Sequence, residues 1–379
     1  MKLLRPLASL AFAALATLLP VPPASAQQGV DSDTITLGHT GALSGPLSAL
    51  SREYLSGAEL YFDQLNAKGG VAGRRIRIVT LDDAYKPELA EQNTRRLIDE
   101  HKVFALFGCF GTGPSLKSIP LATAARVPFF APYTGADALR EPQNPYVFHV
   151  RASYRQEVEK MVNHLYSVGT HSIAVVHHAD PFGQAGLEAA ISTMKRLGLT
   201  PVAVASIASD GSNAAKAAAQ AVAGNPAAVI MITAGNSSAA LVRAIQDTGH
   251  GPMLYGLSVI SSRQLILELG PKAHGLVLAQ VMPSPFRVDF PIAREYRQVA
   301  DKVGVDHSYA ALEGYVAAAT FSEGLRRAGK ELTRERLLEA LESMGNWDAG
   351  GLHMNFSARN HVGLDFVDLT VISRGNFMR

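Results

Sequence analysis

The feature that most restricts what this chain can fold into is a recurring order: apolar strand, small-residue turn, helix, strand again. Its clearest instance runs from Phe104 to Asp137. Val103 to Phe107 is apolar and stops at Gly108, and the turn that follows carries Gly108, Gly111 and Gly113. A helix is expected from Thr112 to Ala125. Val127 to Ala131 is a second apolar run, ending in a second small-residue turn, Tyr133-Thr134-Gly135-Ala136. In an open α/β sheet such turns lie at the carboxyl ends of parallel strands, where ligands bind. Glycine lets backbone N–H groups come close to a ligand, and Thr112 and Thr134 add hydroxyls. The stretch therefore predicts a small-molecule cradle rather than a catalytic centre.

The same order extends in both directions. Before it come a strand at 34–38, a helix at 51–66 closed by Lys68-Gly69-Gly70, a strand at 75–81, and a helix opening at Pro87. After it, a strand at 146–150 leads to helices at 154–167, 184–197, 213–223 and 237–247. These alternate with strands at 172–177, 202–207, 227–232, 253–256 and 276–279. Alternation of this kind defines the α/β class, with mainly parallel sheets covered on both faces. Two such runs, before and after Arg151, predict two lobes. Beyond Val281 the texture changes: Pro283, Pro285 and Pro291 mark a connector, helices are expected at 291–302, 308–328 and 333–344, and strands at 352–355 and 364–372 close the chain.

Met1 to Ala26 has the form of a secretory signal peptide: Lys2 and Arg5, an apolar run from Leu7 to Leu19, and Ala24-Ser25-Ala26 as a cleavage site. Its loss leaves about 350 residues, enough for roughly two domains. Without Lys2 and Arg5 the 35 basic side chains become 33, matching the 33 acidic ones. A net charge of zero argues against nucleic acid or an anionic membrane as partner. Cys109 is the single cysteine, which predicts no disulfide and no lipid attachment at a mature N-terminal cysteine. At the end of an apolar strand it reads as a small buried hydrophobe.

Taken in order, ITLGHTGALSGPLS, GAELYFDQLNAKGGVAGRRIRIVTLDDAYKP, FGCFGTGPS, PFFAPYTGAD and HHADPFGQAG resemble the leucine/isoleucine/valine-binding protein family over essentially the whole mature chain. The resemblance implies a two-lobed type I periplasmic-binding-protein fold with three crossovers, a ligand held in the cleft, and hinge closure. It places the crossovers near Val150, near Ala279 and near Leu352 to Phe356. Lobe one would then be 30–150 with 281–352, and lobe two 151–279 with 356–379. It also implies a periplasmic location, the permease of an ABC importer as partner, a monomer, and no cofactor.

The family pattern falls on particular residues. Thr112 matches the hydroxyl that meets the ligand carboxylate; it equally suits a helix N-cap. Tyr133, Thr134 and Gly135 match the second turn's ligand contacts, with Tyr133 also readable as a packed rim residue. Phe182 matches an aromatic lid, or else staples the helix that follows it. Asn236 stands where relatives carry a further aromatic, and Leu50 lies where they often carry another. Ser258 replaces the glutamate that pairs with the ammonium of an amino-acid ligand. A buried ammonium without a carboxylate is several kcal/mol worse off, so a ligand with a carboxylate or amide end and no obligatory ammonium is expected. Asp180, Asp137 or Glu313 could supply the charge instead. Tyr85 and Gly111 occupy places that a disulfide bridges in some relatives.

Catalytic signatures are absent from the sequence: no G-x-S-x-G elbow, no HExxH, no Walker A motif. His177 and His178 on one strand point to opposite faces, which disfavours a metal site. The remaining rival is a sensor of the same fold that acts on a separate receptor. Arg52, Glu53, Arg140 and Glu141 read either as a permease-docking rim or as ordinary solvated charge.

Overall fold

Two mainly parallel sheets organise the molecule. The computed structural model describes residues 27–261 and 263–378, and the expected signal peptide lies outside the described residues. The first run is β1 (Thr34–Gly41), α1 (Ser48–Ala67), β2 (Arg75–Asp82), α2 (Pro87–Asp99), β3 (Ala105–Phe107), α3 (Thr112–Ala124), β4 (Phe129–Phe130) and β5 (Val147–Phe148). Its five strands are all parallel in the order β2-β1-β3-β4-β5. β1 lies between two neighbours and is buried along nearly its whole length, as a central parallel strand must be.

The second run is α4 (Tyr154–Ser167), β6 (Ile173–His178), α5 (Pro181–Arg196), β7 (Ala203–Ile207), α6 (Ala214–Val222), β8 (Ala228–Ile232), α7 (Asn236–Asp247), β9 (Met253–Gly256), α8 (Arg263–Leu269) and β10 (Val277–Gln280). The chain then returns to the first lobe as α9 (Pro291–Val303), α10 (Tyr309–Ala328), α11 (Arg334–Glu342) and the hairpin β11 (Trp347–Asp348) with β12 (His353–Met354). It ends as β13 (Asp368–Ser373) and β14 (Asn376–Met378), antiparallel additions to the second sheet, whose order is β14-β13-β10-β9-β8-β6-β7.

Local chemistry sets the helix starts that matter for the cleft. Ser153 caps α4 in a full capping box, accepting from the Gln156 amide while the Gln156 side chain takes the Ser153 N–H. Asp180 caps α5, accepting from Gly183 N at 2.9 Å, and Pro181 sits at its first position. Gly111, at φ 93°, lets the chain turn sharply into α3.

The first passage between sheets lies at Val150–Ser153 and the second follows β10. The third is a correction. Leu352 to Phe356 does not cross over; it holds the β11–β12 hairpin, and Phe356 packs against Phe130 and Phe148. The chain then runs beside β5, with His149 N donating to His361 O at 2.8 Å and Gly363 N to His149 O at 2.7 Å. It leaves only between Leu364 and Asp368, so residues 356–364 stay with the first sheet. Burial of Met354 and Phe356 in the first lobe holds them there.

Candidate functional site

The loops at the carboxyl ends of the parallel strands face each other across the two lobes. Between them lies a small hollow. Lobe one lines it with Leu47, Leu50, Tyr85, Phe110, Gly111, Thr112 and Tyr133; lobe two adds Tyr154, Phe182, Ala234 and Val259. None of these described lining residues carries a charge. Thr112, a lining residue, opens α3, and the N–H groups of Thr112 and Gly113 in its first turn have no preceding turn to bond. The helix dipole adds partial positive charge at that end.

Of the residues singled out by sequence, Leu50, Thr112, Tyr133 and Phe182 line the hollow. Thr134 stands behind Thr112, their hydroxyl oxygens 2.7 Å apart, and is fully buried. Gly135 serves the crossover instead: its carbonyl accepts from Tyr154 N at 2.7 Å, and a Cβ there would meet that nitrogen. Asn236 is exposed at the start of α7, and only its backbone touches the other lobe, N–H to Pro46 O at 3.3 Å. Ser258 faces away from the hollow into a buried ion cluster. Arg140 is buried too, against the expectation of a solvated rim: its guanidinium donates to Arg151 O at 3.1 and 3.2 Å.

Five lining residues escaped the sequence reading or were read differently. Tyr154 is the first residue of a helix whose capping box is legible, so its placement was accessible. Phe110 looked like part of a turn, yet its ring stacks on Tyr133 at 5.3 Å. Leu47 and Val259 carry no local signal. Tyr85, placed by sequence only at a position bridged in some relatives, lies against Gly111, where a Cβ would come within 2.4 Å of the ring. Its hydroxyl reaches across the cleft to Asp180 Oδ2 at 3.3 Å. The lobes are thus closed on one another.

The ion cluster sits behind the aromatic wall. Arg151, 1 % exposed, comes from the first crossover. Its Nη2 donates to Glu157 Oε1 at 3.1 Å and to the Ser258 hydroxyl, and its Nη1 lies 3.5 Å from Glu313 Oε1. Ser258 completes the arrangement, its N–H donating to Glu157 Oε2 at 2.7 Å and its hydroxyl to Oε1 at 3.1 Å. Burial by itself would weaken the guanidinium's hold on its proton, but Glu313 and Glu157 raise it above the ordinary arginine value. The other acids that might have met a ligand ammonium are also engaged: Asp180 with Tyr85 and Gly183, Asp137 with Arg155 at 3.0 Å.

Glu313 is pushed up to about 7, chiefly by burial, with Arg151 lowering it and Glu157 raising it. Starting from 4.5, the folded chain keeps a proton through this interval that the unfolded chain has lost. That contribution to stability is whole below the lower value and disappears as pH rises through the upper one. Glu313→Gln lacks it. Relative to the native chain, the variant's unfolding free energy should therefore rise by about 1–3 kcal/mol between pH 5 and pH 8. Urea unfolding at both pH values reads this directly; a pH-independent difference would mean that Glu313 is ionised throughout.

Two like-built α/β lobes, three strands of chain between them and a closed hollow at the strand ends define a bilobal ligand-binding protein. Residues 34–374 match the family model described as periplasmic binding protein. The chain belongs to that family, among the leucine/isoleucine/valine-binding proteins with the type I fold, and membership places it in the periplasm. It is similar to a possible leucine/isoleucine/valine-binding protein of Rhodopirellula baltica, with TM-score 0.86 and 28% identity over 92% of this chain and 96% of that one. A substrate-binding periplasmic protein of Ralstonia solanacearum gives 0.84 and 31% over 89% and 98%. Leu/Ile/Val-binding protein homolog 7 of Brucella suis is 29% identical over 202 residues, 51% of this chain and 49% of that protein. The chain spans about half the length of the curated relatives it matches.

Proposed function

We propose that the protein captures a small solute between its lobes and presents it unchanged to the permease of an ABC importer. The solute has an apolar body and a carboxylate or amide end, and no obligatory ammonium. One observation carries this reading: the hollow is walled by aromatic and aliphatic side chains, with Thr112 and a helix N-terminus at one end and no charged lining residue. An anionic or amide oxygen suits the α3 terminus and Thr112. An ammonium finds no partner there, because Asp137, Asp180 and Glu313 are each held by other groups. The names of the Brucella and Rhodopirellula relatives place amino-acid binding in the same family and support the transport role.

Matched ligand pairs test the reading by calorimetry: L-leucine against 4-methylpentanoate, and L-phenylalanine against 3-phenylpropanoate, each pair differing by the ammonium alone. The acid of at least one pair should bind tenfold or more tightly than its amino acid. A native chain that binds neither member of either pair, or prefers the amino acids, overturns the ligand class.

A further inference from the structure

The position of Arg151 has a consequence for ligand choice, one that rests on the ligand reading above. Its guanidinium carbon lies 5.0 Å from the centroid of Tyr133 and 5.6 Å from that of Tyr154. Both rings wall the hollow, so the charge stands one ring's thickness from the ligand. The cation joins three parts of the molecule: Glu157 and Ser258 of the second lobe, Glu313 of the first, and the crossover that carries it. Nε and Nη1 make no hydrogen bond, and Nη1 meets Glu313 only as an ion pair at 3.5 Å. The guanidinium is therefore not fully saturated by the protein. Arg140, also buried, lies nearby and donates to the carbonyl of Arg151 itself.

We propose that Arg151 is a specificity-determining residue that sets the charge class of the ligand: the chain supplies from its own crossover the cation that neutralises Glu157 and Glu313, and so takes deamino acids and refuses α-amino acids. Arg140 and Arg151 offset Glu157 and Glu313, and a ligand ammonium would add a further cation beside carboxylates already bonded. A ligand carboxylate meets no excess of negative charge. Remove the Arg151 charge, and two carboxylates face one arginine. The region behind the aromatic wall becomes negative, which favours an ammonium and opposes a carboxylate. In a buried site such effects extend over several ångströms.

The same matched pairs decide the matter, titrated at about pH 8 into the native chain, Arg151→Met and Arg151→Lys. In the native chain the acid-to-amino-acid affinity ratio should favour the acid. Arg151→Met should reduce that ratio at least tenfold or invert it, and Arg151→Lys should restore most of it. A purely structural role for Arg151 would lower both affinities together and leave the ratio unmoved. If the native chain prefers the acid and Arg151→Met keeps the ratio, this inference fails while the ligand class stands. If the native chain prefers the amino acid, the ligand class fails first. Should Arg151→Met not fold, Glu313→Gln replaces it as the test: with one carboxylate gone, the ratio should widen in favour of the acid, and a narrowed or unchanged ratio overturns the proposal.

Discussion

Arg151→Met is expected to lower the free energy of unfolding by about 3–5 kcal/mol, the range for removing one partner from a buried ion pair. Methionine matches much of the arginine stem in volume, so packing alone changes little. What remains is electrostatic: Glu157 and Glu313 stay buried without their common cation. Glu157 keeps the amide and hydroxyl of Ser258. Glu313 keeps less and should carry most of the penalty. Adding Glu313→Gln to Arg151→Met should therefore recover part of the loss, a coupling that a double-mutant cycle in urea measures. A loss below about 1 kcal/mol in the single variant would place the cluster with solvent-exposed ion pairs and would remove the basis for its influence on the ligand.

The second large effect comes from two glycines in the helices that bring Glu313 to the cleft. α1 and α10 cross with their backbones in contact. A Cβ on Gly314 would stand 1.9 Å from Tyr54 O, and one on Gly57 would stand 1.8 Å from Ala311 O. Gly314→Ala should cost about 3 kcal/mol, at the upper end of the range for overpacking, because the obstacle is backbone and no rotamer relieves it. Alanine's better helix propensity offsets at most about 1 kcal/mol of that. Gly251, with open space around its Cβ position and an ordinary φ, is the control: Gly251→Ala should stay within about 0.5 kcal/mol. Equal urea midpoints for the two variants would show that the helices separate freely. Because Glu313 adjoins Gly314, the displaced helix should also draw the carboxylate away from Arg151.

The α/β class, the two lobes and the turns that meet at the cleft were legible in the sequence because their causes are local. Strand and helix periods, Pro87 at a helix start and the glycines of the first turn act over a few residues. Thr112 could be placed at the ligand end for the same reason: it opens a helix, and helix termini attract anions wherever they occur. The fate of Ser258 could not be read. It meets Arg151 across 107 positions of chain and Glu157 across 101, and nothing near Ser258 announces either partner. Asn236 stood in the right turn but points outward, because which face of a turn meets the opposite lobe depends on how the lobes sit. The third crossover was misplaced because a short strand looks alike whether it joins a hairpin or leaves a lobe. By itself, then, the sequence determined the elements and the ends at which a ligand could lie. Only the tertiary structure decided which charges meet behind the hollow, since a buried ion pair is set by the packing of remote segments and leaves no periodic trace in the residues that form it.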